Sequence, residues 1–256
     1  MRRLGTLLLG VVLVVAVTGC ATTGPDINQK AKQEAAKTNT QLGIRYLRKG
    51  DLQQALRKLN KALNENPDLG DAHMAMGVVY ERLDDPDKAR EHYRRAVELE
   101  PDNSSALNNY GRFLCDRGEY DHAEELFKKS AANPLYESPE VPLANAGLCA
   151  ERAGRHQKAE DYFLKALRSN KRFPVALLNM AELRLDQGEP MSARGYYERY
   201  LSAAQQTARS LWLGIRIEHQ LENPDAVASY SLLLRQKFPD SAQASELLEW
   251  ERNGKL

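Results

Sequence analysis

Cysteine and histidine are scarce in this chain of 256 residues, and the scarcity removes whole classes of chemistry. The cysteines are Cys20, Cys115 and Cys149, and the five histidines (His73, His92, His122, His156, His219) are scattered. No two histidines stand at i, i+4 with a third ligand nearby, so no metal centre is expected. A glycine-rich phosphate loop, a nucleophile elbow and a His-Glu zinc signature are all missing. Nothing around Cys115 or Cys149 supplies the base that a catalytic thiol needs. The acidic pairs Asp84-Asp85 and Glu124-Glu125 read as solvated turns and helix surfaces. Neither sign of charge dominates, with 36 Lys and Arg against 35 Asp and Glu. The signs are interspersed and no basic stripe is interleaved with aromatics, which argues against a nucleic-acid partner. No active site, cofactor or small-molecule substrate is expected.

What is present is a period. Leu42-Gly43, Tyr46, Gly50, Ala55, Leu59, Ala62 and Pro67 recur 34 residues on as Met76-Gly77, Tyr80, Ala89, Tyr93, Ala96 and Pro101. A third copy runs Tyr110-Gly111, Leu114, Gly118, Ala123, Phe127 and Ser130. Further copies are centred on Gly147, Ala181 and Gly214, paired with Phe163, Tyr197 and Tyr230. Such self-similarity is the mark of stacked helix–turn–helix units and resembles the tetratricopeptide repeat. The small residue on the first helix admits the second helix closely, the alanine on the second answers it, and the large residue fills the gap between neighbours. Pro67, Pro101 and Pro239 stop second helices, because proline lacks an N–H and restricts the residue before it. One such hairpin cannot bury both faces, so several must stack. The expected fold is all-α: a superhelical solenoid of six tetratricopeptide repeats over residues 38–240, with a C-terminal capping helix in residues 241–256.

Residues 1–19 do not share the period. Arg2 and Arg3 precede an apolar run from Leu4 to Val17, the layout of a secretory signal and short for a membrane span. Val17-Thr18-Gly19-Cys20 resembles the bacterial lipobox, which implies cleavage before Cys20 and acylation of that cysteine. An ordinary signal with an accidental cysteine, or an uncleaved anchor, is the alternative. Acyl chains hold by roughly 0.8 kcal/mol per buried methylene, and two or more hold stably. In lipoproteins of this kind an aspartate after the cysteine favours the inner membrane. Ala21 therefore implies the outer membrane, facing the periplasm, with residues 20–37 as a lipidated tether that can be helical at its end.

In that oxidising space Cys115 and Cys149, one period apart on the first helices of repeats three and four, become a candidate disulfide. The alternative is that both are small buried residues, since two extra residues between these repeats put the cysteines at different repeat positions. In repeats of this class the first helices line a concave groove. Ile44, Met74, Val78, Arg112, Leu148 and Glu182 are its candidate lining, edged by Arg48, Glu81, Arg112, Glu151 and Glu218. An apolar groove with charged edges suits a peptide or amphipathic helix, although the same side chains can pack against neighbouring helices instead. Asn109, Asn145 and Asn179 share one repeat position. In peptide-binding relatives an asparagine there bonds the ligand backbone; a local helix-to-helix bond is the plainer reading. No clamp of Lys and Arg for a free carboxylate is evident.

The segments Gly111-Arg112-Phe113-Leu114-Cys115-Asp116-Arg117-Gly118-Glu119-Tyr120, Asn133-Pro134-Leu135-Tyr136, Asn145-Ala146-Gly147-Leu148-Cys149 and Ser210-Leu211-Trp212-Leu213-Gly214-Ile215-Arg216-Ile217 lie largely outside the generic repeat pattern. They resemble the type IV pilus biogenesis lipoproteins of the PilF/PilW family. The resemblance implies a pilotin, a non-enzymatic lipoprotein that binds the outer-membrane secretin subunit and promotes its localisation and multimerisation. Its lipid partner would be the outer membrane, through acylated Cys20. The competing expectation is a general periplasmic scaffold that recruits cell-wall or outer-membrane assembly factors.

Overall fold

The structure, a computed structural model, describes residues 25–254 as a run of helices joined by short turns, with no strand among the described residues. The helices are α1 (Pro25–Arg48), α2 (Leu52–Glu65), α3 (Gly70–Arg82), α4 (Pro86–Leu99), α5 (Ser104–Cys115), α6 (Tyr120–Ala132) and α7 (Glu140–Arg152). They continue as α8 (His156–Ser169), α9 (Pro174–Asp186), α10 (Pro190–Leu201), α11 (Ala208–Gln220), α12 (Pro224–Lys237) and α13 (Ala242–Arg252). Helices α1 to α12 form six antiparallel hairpins and α13 closes the end, as the period predicts.

Local chemistry sets the boundaries. Asp51, Asp85, Asn103, Asn223 and Ser241 each accept a bond from the backbone N–H three residues on, capping α2, α4, α5, α12 and α13. Pro86, Pro174, Pro190 and Pro224 open helices where no N–H is needed. Within the hairpins, Gly50, Gly118, Gly154 and Gly188 turn the chain at φ between 70 and 78°. Asp84 and Glu222 hold the corresponding turns of repeats two and six at φ 56° and 53°, without the freedom of glycine.

Inside each of the first four hairpins the small residue faces the large one. A Cβ on Gly77 would stand 2.7 Å from the ring of Tyr93, and one on Gly147 would stand 2.5 Å from Phe163. Ala89, Tyr93, Ala159 and Phe163 are all fully buried. Repeat six departs from the pattern, because a Cβ on Gly214 would stand 2.6 Å from the hydroxyl oxygen of Tyr197, from the preceding repeat. The core is a chain of local clusters running along the solenoid. Leu247 and Ala244 of α13 close the last cluster over Leu211, Ile215 and Leu234, and the Trp250 ring meets Trp212 edge-on at 4.8 Å.

The N-terminal end of the array lies close to the limit of the described residues. The stretch assigned to a tether is helical from Pro25, continuous with the first helix of repeat one, and Ala36 is already buried. The signal segment and Cys20 lie outside the described residues. No helix among the described residues is long and apolar enough to cross a membrane.

Candidate functional site

First helices contact one another along the array (α1 with α3, α3 with α5, α5 with α7, α9 with α11), while second helices contact mainly their own and the following first helix. The array therefore curves with the first helices inside, and the concave face is built from α1, α3, α5, α7, α9 and α11. Neighbouring helix axes stand about 8–10 Å apart, within reach of a long side chain. That spacing decides the character of the face.

Ile44, Met74, Val78 and Leu148 lie on it half-buried, each packed partly against its neighbours. Arg112 of α5 crosses to α3 and donates two parallel bonds to Glu81, each 2.8 Å, and a third at 3.3 Å to Asp116. The Glu81 bond holds the Arg112 guanidinium above its ordinary pKa, and Tyr93 donates to the same carboxylate at 2.8 Å. Arg152 of α7 pairs with Asp116 of α5. Arg209 of α11 pairs with Glu182 of α9, and Arg216 donates to Asp186 at 2.9 Å. The expected apolar groove with charged edges is thus corrected: arginine–carboxylate pairs bridge the face itself, because each arginine finds a carboxylate one helix away.

Other candidates are also relocated. Thr40, Ala144, Leu178, Leu211 and Ile215, at the same repeat positions as the lining, are buried in helix packing. Glu218 is not an edge residue; it is 5% exposed and accepts from Arg194 Nε and Asn223 Nδ2, both at 2.8 Å. Asn179 is buried with both ends of its amide engaged, donating to the Val175 carbonyl at 2.7 Å and accepting from Arg209 at 2.9 Å. Asn145 donates to Asn108 of α5 at 2.8 Å, and Asn109 to the Met74 sulfur at 3.5 Å, so both amides tie one first helix to the previous one.

Cys115 and Cys149 are brought together as a disulfide between α5 and α7, with Cα atoms 5.8 Å apart. The longer connection between repeats three and four does not separate them. Beside the bond lies a cleft of about 200 Å³ lined by Arg112, Asp116, Asn145, Leu148 and Arg152.

The concave stack is loosest between α7 and α9, where no arginine bridges the two helices. A cleft of about 590 Å³ opens there against Glu151, His156, Glu182, Asp186 and Arg209. Burial, and then Glu182, push the Glu151 carboxyl above its ordinary range. One pairing escaped the sequence altogether. His73 and His92, on the two helices of repeat two, meet Nδ1 to Nδ1 at 2.9 Å, with His73 Nε2 2.9 Å from the Pro67 carbonyl. Histidines 19 residues apart carry no spacing signal unless the hairpin is folded first. Among the described residues no group of His, Cys, Asp and Glu is arranged to hold a metal ion.

Comparison with known proteins adds the rest. Tetratricopeptide repeat models match residues 40–104, 75–137 and 143–173. The type IV pilus assembly protein PilF of Pseudomonas aeruginosa is 37% identical over 237 residues, covering 91% of this chain and 94% of its own length. The solved structure of Pseudomonas aeruginosa PilF superposes with a TM-score of 0.77 at 36% identity, covering 86% of this chain and 99% of that one. PilW, a widely conserved type IV pilus biogenesis factor, superposes with a TM-score of 0.75 at 31% identity, covering 83% and 98%.

Proposed function

The chain belongs to the PilF/PilW family of type IV pilus biogenesis proteins, and on that premise we propose that it acts as a pilotin. Acylated Cys20 supplies the destination, the inner leaflet of the outer membrane, and the solenoid supplies the grip on a secretin subunit. The observation that carries this reading is the extent of the likeness, which runs over 91% of the chain and so far beyond the residues that any tetratricopeptide repeat shares. The mechanism is topological. Confining subunits to one membrane surface raises their effective concentration and favours the ring without any covalent step. A rigid array of helices that holds an extended protein surface suits that task, and proteins of this type act as scaffolds.

The test is secretin assembly in cells carrying the wild type, no copy, or Cys20→Ala, scored as denaturant-resistant multimer in separated membranes. Multimers should be lost without the protein and misplaced with Cys20→Ala. Multimers unchanged in all three strains would remove the pilotin reading. An altered cell wall with intact pili would put the general scaffold in its place.

A further inference from the structure

The outer surface of the solenoid changes character at its last repeat. Four positions on each second helix, those one, two, five and six residues after the small alanine, lie on the side of the helix opposite that alanine. In α4 they are Arg90, Glu91, Arg94 and Arg95, and in α6 Glu124, Glu125, Lys128 and Lys129. Helices α8 and α10 each carry three charges there, and in α2 the sole apolar member, Leu56, packs into the core. In α12 the same positions are Val227, Ala228, Ser231 and Leu232, with no charge at all.

The first of these positions has a constant task in repeats two to five: it bonds to the following repeat. Arg90 pairs with Glu119 at 2.5 Å, Glu124 accepts from Tyr162 at 2.7 Å, Glu160 accepts from Arg184, and Arg194 donates to Glu218 at 2.8 Å. In repeat six the position is Val227, and beyond it lies α13, which packs on α11 and α12 as the first helix of a further repeat would. The second helix of that further repeat has no counterpart among the described residues. Its seat is a cleft of about 560 Å³ lined by Val227, Ala228 and Ser231, by the polar His219, Glu222 and Asn223, and by the Arg235–Glu251 ion pair. Ser231 is 3% exposed and its hydroxyl has no partner. Leu232 of α12 and Leu248 of α13 stand 54% and 48% exposed.

From this continuity of the repeat interface we infer that the α12–α13 cleft docks one amphipathic helix of the polypeptide on which the protein acts. The guest packs on α13 and flanks α12, as the second helix of a seventh repeat would. Its apolar stripe covers Val227, Ala228 and Leu232. Charges on its flanks face Arg235 and Glu251. A charged outer face would repel such a stripe by leaving buried charges unpaired, which explains why the charge stops at α12. The inference rests on the pilotin reading for the identity of the guest, a secretin subunit.

The test places a photo-reactive phenylalanine analogue at position 228 or 232 of the full-length protein in cells making pili. Controls carry it at 129, the repeat-three counterpart of 232, and at 78 and 148 on the concave face. Adducts are mapped by mass spectrometry. Secretin adduct at 228 and 232 should exceed that at 129 by at least about tenfold, the ratio that about 1.4 kcal/mol of preference gives. The mapped secretin peptide should be amphipathic at helical spacing. The double variant Ala228→Glu, Leu232→Arg, which restores the charge of the other repeats on exposed positions, should lower multimer yield while leaving the melting curve unchanged. Secretin adducts confined to 78 and 148 would overturn the inference and leave the pilotin reading intact. Adducts between two copies of the chain, or none above the 129 control, would also overturn it. Failure of the pilotin reading is seen separately, as multimers that persist when the gene is deleted.

Discussion

At the scale of single residues, stability depends on clearances of a fraction of an ångström. Gly77→Ala would set a Cβ against a fully buried Tyr93 ring that cannot swing aside. Overpacking of this kind costs about 1–3 kcal/mol, more than the roughly 1 kcal/mol that alanine gains over glycine in a helix. The variant should therefore melt earlier than the wild type in a far-ultraviolet dichroism scan. The His73–His92 contact gives a pH dependence. Burial, and then His73, hold the His92 pKa below its ordinary 6.5, against a smaller opposing influence of Glu91. Tyr80, with Lys88 over its ring, also packs against His92. The unfolded chain therefore binds a proton at His92 before the folded one does. This contribution is full above pH 6.5 and is lost as the pH falls below it towards the folded value. Melts at pH 7.5 and about 5.5 should differ more for the wild type than for His92→Phe. The small and large residues of the core were legible in the sequence, since their sterics repeat with the period. Partner choice was not, because Arg112 or Asn179 can reach several atoms and only the folded neighbours decide which.

At the scale of the helix and turn, five of the twelve hairpin helices open on a side-chain cap that a reader of sequence can see, Asp51 and Asn103 among them. The turns are less uniform. Glu222 occupies a left-handed conformation that glycine adopts in four other repeats. That geometry costs a non-glycine residue about 1–2 kcal/mol, against about 0.5–1 kcal/mol for the extra freedom that glycine loses on folding. Glu222→Gly should therefore raise the melting temperature by about 2 °C, given 2–4 °C per kcal/mol at this size. A lower melting temperature would mean that Glu222 makes a compensating interaction. The start of the first helix was the element least legible in sequence. Residues 28–34 are exposed and show no repeat pattern, yet Gln29, Lys30 and Ala31 are good helix formers, and the helix they extend is already nucleated by repeat one.

At the scale of the whole molecule, each repeat touches its neighbours alone, so stability is passed along the array by adjacent interfaces. The Cys115–Cys149 disulfide crosses one such interface and closes a loop of 34 residues. Such a closure contributes about 3–4 kcal/mol in the chain-entropy model. Reductant should lower the denaturant midpoint of the wild type and leave that of Cys115→Ser, Cys149→Ser unchanged, with free thiols counted by alkylation and intact mass. Equal midpoints with and without reductant in the wild type would mean that the bond adds nothing to stability. Fold and repeat number were readable at this scale because a period needs no knowledge of contacts. The ion pairs across the concave face were not readable, because they bridge helices a repeat apart. The first helix adds a property of another kind. Of its 24 residues, those from Asn28 to Glu34 are exposed, and packing begins near Ala36. The part ahead of the packed body, from Pro25 to Ala35, is about 16 Å of helix at 1.5 Å per residue. A helix resists bending where an extended linker does not, so this strut fixes a standoff. Over residues 25–35 the distance to the packed body is therefore set by helix and not by loose chain. Inserting a flexible glycine–serine stretch at residue 30 would then alter geometry while leaving every repeat intact.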